Sequence, residues 1–183
     1  MKLQNLVSRL EKKHHKKLDL SLGRSFSLLK KLGSPQDKLK NVCTVVGTNS
    51  KASMAFSLKS ILNQAGYKCN VYSSPSLQSY TERFIFNDQE ISEENLIELL
   101  EDVEKILGND NATLFEIFTC AFIKYAENFK ENINIIEAGL FHQFDSTNVF
   151  KENTLTLLGV IHSDHYLWLE NKRIEGIIQE KTT

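Results

Sequence analysis

The sequence predicts an α/β fold in which a parallel sheet carries helices on both faces. Three observations predict it. Val42-Cys43-Thr44-Val45-Val46 is an apolar, β-branched run without polar alternation, as expected of a strand buried on both faces. A small polar loop, an amphipathic helix and a second strand follow it, which is the unit from which parallel sheets are built. Further along, helical and buried-strand patterns keep alternating, so a doubly wound sheet is the economical architecture.

In chain order, Leu3, Leu6, Val7 and Leu10 fall at helical spacing and define a first amphipathic helix. Its basic end, Lys12, Lys13, His14, His15, Lys16 and Lys17, reads as a solvated helix terminus where cations complement the helix dipole, in preference to a phosphate or membrane patch. A short helix over residues 26–32 ends at Gly33, with Ser34-Pro35 as the turn. After the first strand, Ala55, Phe56, Leu58, Ile61, Leu62 and Ala65 mark a helix closed by Gly66, and Cys69-Asn70-Val71-Tyr72 is the second strand. Arg83-Phe84-Ile85-Phe86 with Asn87-Asp88 suggests a small strand and turn. Residues 93–107 form a helix that Ser92 can cap and Gly108 can end. Another helix is expected over 114–129, two more buried strands over 133–138 and 155–161, and a last helix from 172 to the chain end.

A length of 183 residues suits one well-buried domain spanning 1–183. Apolar residues at 41%, charged residues at 25% and two prolines exclude a disordered or collagen-like chain. A net charge of -1 argues against a dedicated nucleic-acid binder, which needs a basic face. The three cysteines, Cys43, Cys69 and Cys120, have neither the number nor the spacing of a disulfide framework or a zinc site, so a cytoplasmic setting is expected. No apolar run reaches bilayer length, and the first segment has no signal-peptide core, so no membrane partner is expected.

The loop Gly47-Thr48-Asn49-Ser50-Lys51-Ala52-Ser53 lies where parallel sheets bind ligands, beyond a strand's carboxyl end and ahead of a helix amino terminus. A phosphate loop needs small residues for backbone approach, a lysine against the terminal phosphate and a hydroxyl for magnesium. Lys51 and Ser53 supply the last two. The segment departs from G-x-x-x-x-G-K-[ST], because the hydroxyl lies two residues after the lysine and Ser50 and Ala52 stand at glycine positions. Taken alone, it reads better as a polar strand-to-helix connection.

The wider pattern changes that weighting. Gly47 to Ser53 resembles the GTNGKGS loop of the folylpolyglutamate synthase and dihydrofolate synthase family, within the Mur ligase superfamily. Further matches follow in order. Leu32-Gly33-Ser34-Pro35-Gln36 resembles LGNPQ, Ser73-Ser74-Pro75-Ser76-Leu77 resembles TSPHL, and Glu82-Arg83-Phe84 resembles ERI. Thr113-Leu114-Phe115-Glu116 resembles TxFE. Glu137-Ala138-Gly139-Leu140 with Asp145-Ser146-Thr147-Asn148-Val149 resembles EVGLGGRLDATNV. Asp164-His165 resembles DH, and Glu180-Lys181 the start of EKAGI. The resemblance spans nearly the whole chain.

It implies a P-loop-containing, Mur ligase central-domain-like fold, incomplete at the carboxyl end, with the carboxyl-terminal ligase domain absent. It also implies an ATP-dependent ligase that joins glutamate to folate or dihydropteroate through an acyl phosphate, with ATP and Mg2+ as cofactors. Backbone amides over Gly47, Thr48, Asn49, Ser50, Lys51, Ala52 and Ser53, together with Asn148, would hold the nucleotide. Lys51 would bridge to the terminal phosphate, and Ser53, Ser74, Glu137 and His165 would hold magnesium. Glu137, His165 and Lys181 join Lys51 as catalytic candidates; the family carries the matching lysine in carbamylated form as an extra metal-linked carboxylate. Each has a plainer alternative. Ser74 can start a turn, Glu137 can sit in a salt bridge, and His165 can be an ordinary satisfied histidine.

The departures bear on function. Side chains at Ser50 and Ala52 replace glycines, Ser76 replaces a histidine, and Phe141, His142 and Gln143 occupy the GGR stretch. Three functions are therefore weighed: the ATPase portion of such a ligase; a noncatalytic nucleotide- or pterin-binding remnant, or a half-enzyme needing a separate carboxyl-terminal partner; and an unrelated P-loop kinase, which leaves the later motifs unaccounted for.

Overall fold

A computed structural model of the chain describes residues 2–14, 21–140, 142–162 and 174–182. Six strands, β1 (Val42–Val46), β2 (Cys69–Tyr72), β3 (Phe84–Phe86), β4 (Gln89–Glu90), β5 (Ile133–Glu137) and β6 (Leu155–Leu158), form one sheet in the spatial order β4-β3-β2-β5-β1-β6. β2, β5, β1 and β6 run parallel, as the apolar runs predict. β3 and β4 are antiparallel, which the sequence reading left unspecified. Their hairpin turns through Asn87 and Asp88, at φ +51° and +69°, the pair of left-handed residues that a tight two-residue turn requires.

Helices α1 (Lys2–Lys13), α2 (Gly23–Lys31), α4 (Glu93–Leu107) and α5 (Leu114–Ala126) cover one face of the sheet, and α3 (Lys51–Gln64) covers the other. Alternation along the strands divides the core accordingly. Val42, Tyr72, Phe84 and Ile136 face the four-helix side, and Cys43, Val45, Val71 and Ile135 face Ala55 and its neighbours on α3. The larger core is aromatic, with Phe86 and Phe122 stacked at 5.0 Å and Phe84 edge-on to Phe118 at 5.5 Å.

Local chemistry sets the element ends. The Ser92 hydroxyl accepts from the Asn95 amide at the start of α4, and Gly108, at φ +65°, closes it. Thr113 and Glu116 form a reciprocal capping box at the start of α5. That helix ends at Ala126 and tightens into a 3₁₀ turn through Phe129, where the sequence predicts one continuous helix. α2 begins at Gly23, three residues ahead of the expected start. The last helix, α6, is described over Ile174–Thr182.

Two expectations are corrected. β6 is not buried: Leu155 and Leu158 are 41% and 49% exposed, because this strand pairs only with β1 and has no described neighbour on its outer side. On α3, Phe56 and Ile61 lie outside the packed stripe, and Ile61 is 66% exposed. No described helix is long and apolar enough to cross a membrane.

Phe122 is fully buried among rings from β2 and β3, so Phe122→Ala leaves a cavity that its neighbours cannot fill. We expect a loss of ~3–5 kcal/mol in urea unfolding; a loss under ~1 kcal/mol would show that this cluster is not the core.

Candidate active site

The register brings the site together. Val45 lies opposite Glu137 and Tyr72 opposite Ile136, so β1, β5 and β2 end level and release their loops at one edge. The β1–α3 loop begins at Gly47, where φ is +148° and an added Cβ would stand 3.1 Å from the Gly159 Cα. Only glycine fits this close approach. Thr48 then pairs with the chain beyond β6: its amide donates to the Val160 carbonyl at 2.9 Å and its hydroxyl accepts from the His162 amide at 3.1 Å. The Thr48 amide is thereby engaged within the protein.

Ser50 turns the loop at φ +66°, the left-handed conformation expected of the glycine it replaces, at a strain of roughly 1–2 kcal/mol. Ala52, by contrast, lies in the first turn of α3 with ordinary helical geometry. Ser50 makes no side-chain cap bond, and the first-turn amides of α3 have no acceptor within their own helix. Lys51 opens that helix half-buried, its Nζ 3.4 Å from the Thr48 carbonyl, and Ser53 is exposed beside it. The start of α3 thus carries first-turn amides, a lysine and a hydroxyl, the groups that anion binding requires.

Across the sheet edge, Glu137 is 3% exposed and accepts one hydrogen bond, from the Ser74 amide at 3.1 Å. It has no ion pair among the described residues. Burial pushes its carboxyl above the usual range; the Ser74 bond and the positive charges of Lys51 and Arg83 pull the other way without overcoming that penalty. The salt bridge weighed from sequence is not formed with any of the described residues.

A cavity of about 380 Å3 opens beside these groups, with Lys51, Ser74, Arg83, Phe115, Leu140 and Phe144 in its wall. Arg83 is buried beneath it. Its guanidinium donates to the Tyr72 hydroxyl at 2.8 Å and the Ser73 carbonyl at 3.2 Å and stacks over Phe118 at 4.8 Å, with no carboxylate partner among the described residues. Asp145 knots the loop after β5, accepting from the amides of Gly139, Leu140 and Thr147 and from the Thr147 hydroxyl. A Cβ on Gly139 would lie 2.7 Å from both the Asp145 carboxylate and the Phe115 ring, so that position also excludes a side chain.

α6 crosses the same edge. The Lys181 Nζ donates to the Gly47 and Leu140 carbonyls, each at 3.0 Å, and the Glu180 carbonyl accepts from the amides of His142 and Gln143. His142 is buried with Nδ1 unpartnered; burial, with the neighbouring Lys181 charge, pushes its pKa down.

Of the residues predicted from sequence, Lys51, Ser74 and Glu137 converge, with Ser53 on the adjoining helix turn. Asn148 turns its side-chain amide toward the Gln143 carbonyl and does not line the cavity. Asp164, His165 and Phe141 lie outside the described residues. Among the described residues no three His, Cys, Asp or Glu side chains cluster as a metal site. Sequence reasoning missed Arg83 and Asp145 as site-building residues, although both stand inside motifs it singled out.

No protein-family model matches the chain. In sequence and fold, however, it matches folylpolyglutamate and dihydrofolate synthases over nearly its full length. It is 35% identical over 179 residues to the dihydrofolate synthase/folylpolyglutamate synthase of Escherichia coli, covering 98% of this chain and 42% of that protein. The Bacillus subtilis counterpart is 38% identical over 167 residues, covering 87% and 38%. The E. coli enzyme solved with DHPP and ADP superposes with a TM-score of 0.89 at 35% identity, over 98% of this chain and 42% of that one. The Yersinia pestis bifunctional synthase solved with AMPPNP and a Mn ion gives a TM-score of 0.88 at 31% identity, over 98% and 43%. The chain thus spans about two fifths of the length of the relatives it matches.

Glu137 generates a pH prediction. Its folded pKa is raised, so the protein loses stability as pH climbs from the ordinary glutamate value near 4.5 through the raised one. Glu137→Gln keeps a neutral acceptor for the Ser74 amide. Its Tm should exceed that of the parent at pH 8, and the gap should close at pH 4; equal Tm values at pH 8 would contradict the burial of an ionisable carboxylate here.

Proposed function

We propose that this chain is the ATP-handling portion of a folylpolyglutamate/dihydrofolate synthase, which adds glutamate to folate or dihydropteroate. One observation carries the reading: Lys51, Ser74 and the buried Glu137, which has no ion pair among the described residues, meet where three parallel strands end, beside the first-turn amides of α3. Relatives solved with ADP, and with AMPPNP and a Mn ion, support nucleotide and divalent-metal binding as the reading of this chain.

In this reading the α3 amides and Lys51 take the phosphates of ATP. Lys51 neutralises charge on the γ-phosphoryl group as it passes to an oxygen of the substrate carboxylate, releasing ADP. The amine of glutamate then attacks the carbonyl carbon, the bond to the phosphate oxygen breaks, and phosphate leaves as the amide forms. Glu137, Ser74 and Ser53, with His165, would hold Mg2+. A buried carboxylate that among the described residues has a single hydrogen bond and no ion pair fits a hard cation that prefers oxygen ligands. When bound, the ion supplies positive charge against the phosphates. Asn148 completes the nucleotide-binding set proposed from the motif.

The cavity walled by Phe115, Leu140 and Phe144 suits the flat, apolar body of a pterin, and Arg83 supplies positive charge on the side from which a carboxylate must reach ATP. Cys43, Cys69 and Cys120 are buried free thiols, each pushed up in pKa by burial, which fits a reducing cytoplasm.

A second reading keeps the binding site and drops turnover. The strained Ser50 at a phosphate-loop glycine position favours it, and glutamate ligation then needs a separate carboxyl-terminal domain. The decisive assay measures Mg-ATP binding and folate-dependent phosphate release, with the chain alone and with the separated carboxyl-terminal domain of a full-length family member. Glutamylated product in the mixture supports the ligase reading; binding without product supports the second; neither removes both. Lys51→Ala should weaken ATP binding at least tenfold and lower any phosphate release at least 100-fold, and retained release would take this loop out of the reaction.

A further inference from the structure

We infer that Glu82 is a positioning residue: its carboxylate takes the successive backbone amides of Leu77, Gln78 and Ser79, and so fixes the loop between β2 and β3 that carries Ser74 along the cavity wall. The lock itself rests on geometry alone; that it serves a bound ion rests on the function proposed above.

Residues 73–83 form a loop whose two ends close on each other. The Ser73 amide donates to the Arg83 carbonyl at 3.2 Å, and the Arg83 guanidinium donates back to the Ser73 carbonyl at 3.2 Å. The returning limb is tied to the core, with Thr81 and Arg83 buried and Tyr80 edge-on to Phe118 at 5.8 Å. The tip has no such anchor. Leu77 is 92% exposed there, so apolar packing does not hold it.

Glu82 supplies what packing does not. One carboxylate oxygen accepts from the Leu77 amide at 2.9 Å, and the other accepts from the Gln78 and Ser79 amides at 2.8 and 2.7 Å. Bonds to an ionised acceptor are the strong ones of their kind. The Leu77 bond, then that of Ser79, holds the Glu82 carboxyl below its usual range, so the charge that makes these bonds is present at neutral pH. With Ser73 pinned by Arg83 and Leu77 pinned by Glu82, only Ser74, Pro75 and Ser76 lie between two fixed points. Within that span the Ser74 amide reaches Glu137 at 3.1 Å, and Ser74 and Pro75 stand in the cavity wall. Glu82 thus sets the place of Ser74 without lining the cavity itself. A residue placed in advance takes an ion without the cost of ordering its loop on binding.

Hydrogen exchange read by NMR, together with Mn2+ binding to the 183-residue chain, tests the assignment with Glu82→Ala and Glu82→Gln. In Glu82→Ala the amides of Leu77, Gln78 and Ser79 should exchange about tenfold faster or more, while those of Ile135 and Ile136 stay unchanged. Glutamine keeps one acceptor oxygen for Gln78 and Ser79 and turns its amide nitrogen toward Leu77, so Glu82→Gln should speed Leu77 alone. Binding of Mn2+ to the ADP-loaded chain, followed by electron paramagnetic resonance, should weaken about fivefold in Glu82→Ala, while ADP affinity without a divalent ion stays within about twofold. Unchanged exchange of the loop amides in Glu82→Ala overturns the lock. So does equal loosening of β5, which would make Glu82 a general prop of the fold. Faster loop exchange with unchanged Mn2+ affinity overturns the link to the ion. Faster loop exchange in Glu82→Ala, in a chain whose parent binds neither ADP nor Mn2+, upholds the lock and removes the proposed function instead.

Discussion

A carboxylate buried at the end of a central strand, with one hydrogen bond and no ion pair among the described residues, is the constraint around which this edge of the molecule is arranged. Glu137 sits there because β5 is flanked on both sides by parallel partners and ends level with them. Each neighbour contributes something that suits a negative charge: the Ser74 amide from the loop after β2, and the cations Lys51 and Arg83 acting through space. None is close enough to pair with it, so the carboxylate retains its burial penalty. A residue that destabilises the folded chain and stands beside free amides and a cavity is more readily understood as part of a binding site than as part of the core.

The surrounding loops are held by contacts that leave this group alone. Asp145 is saturated by four donors from its own loop, Gly47 is pressed against Gly159, and Thr48 is bonded to the chain beyond β6. On the other side, the Arg24–Glu116 pair ties α2 to the start of α5 at the rim of the cavity. These groups have their hydrogen-bonding needs met within the protein. Lys51 stands in the cavity wall, and the Glu137 carboxylate buried nearby accepts only the Ser74 amide among the described residues; the division between structural and functional polar residues follows from that difference.

Much of this was legible in the sequence, for identifiable reasons. The Val42–Val46 run could only be a doubly buried strand, and Ser92 and Gly108 bracket α4 because capping depends on one or two residues at known offsets. The Gly47–Ser53 loop and Glu137 could be placed because they follow strands directly. β6 was misjudged as buried because Leu155-Thr156-Leu157-Leu158 has a core strand's composition, and exposure depends on how many neighbours the sheet supplies. Arg83 and Asp145 escaped assignment because their roles rest on partners far from them or on a loop's exact path: Arg83 on Phe118, Asp145 on the amides of Gly139 and Leu140. The Lys181 contacts span 134 and 41 residues of chain, distances at which no local pattern carries information.

The most direct test of a nucleotide and its ion at this edge is a crystal structure of the chain grown with AMPPNP and Mn2+, read by anomalous scattering. The account predicts a manganese peak within bonding distance of the Glu137 carboxylate and the Ser74 hydroxyl, with phosphate density over the first turn of α3. Nucleotide density elsewhere on the protein, or an anomalous map empty around Glu137 while AMPPNP is bound, would contradict it.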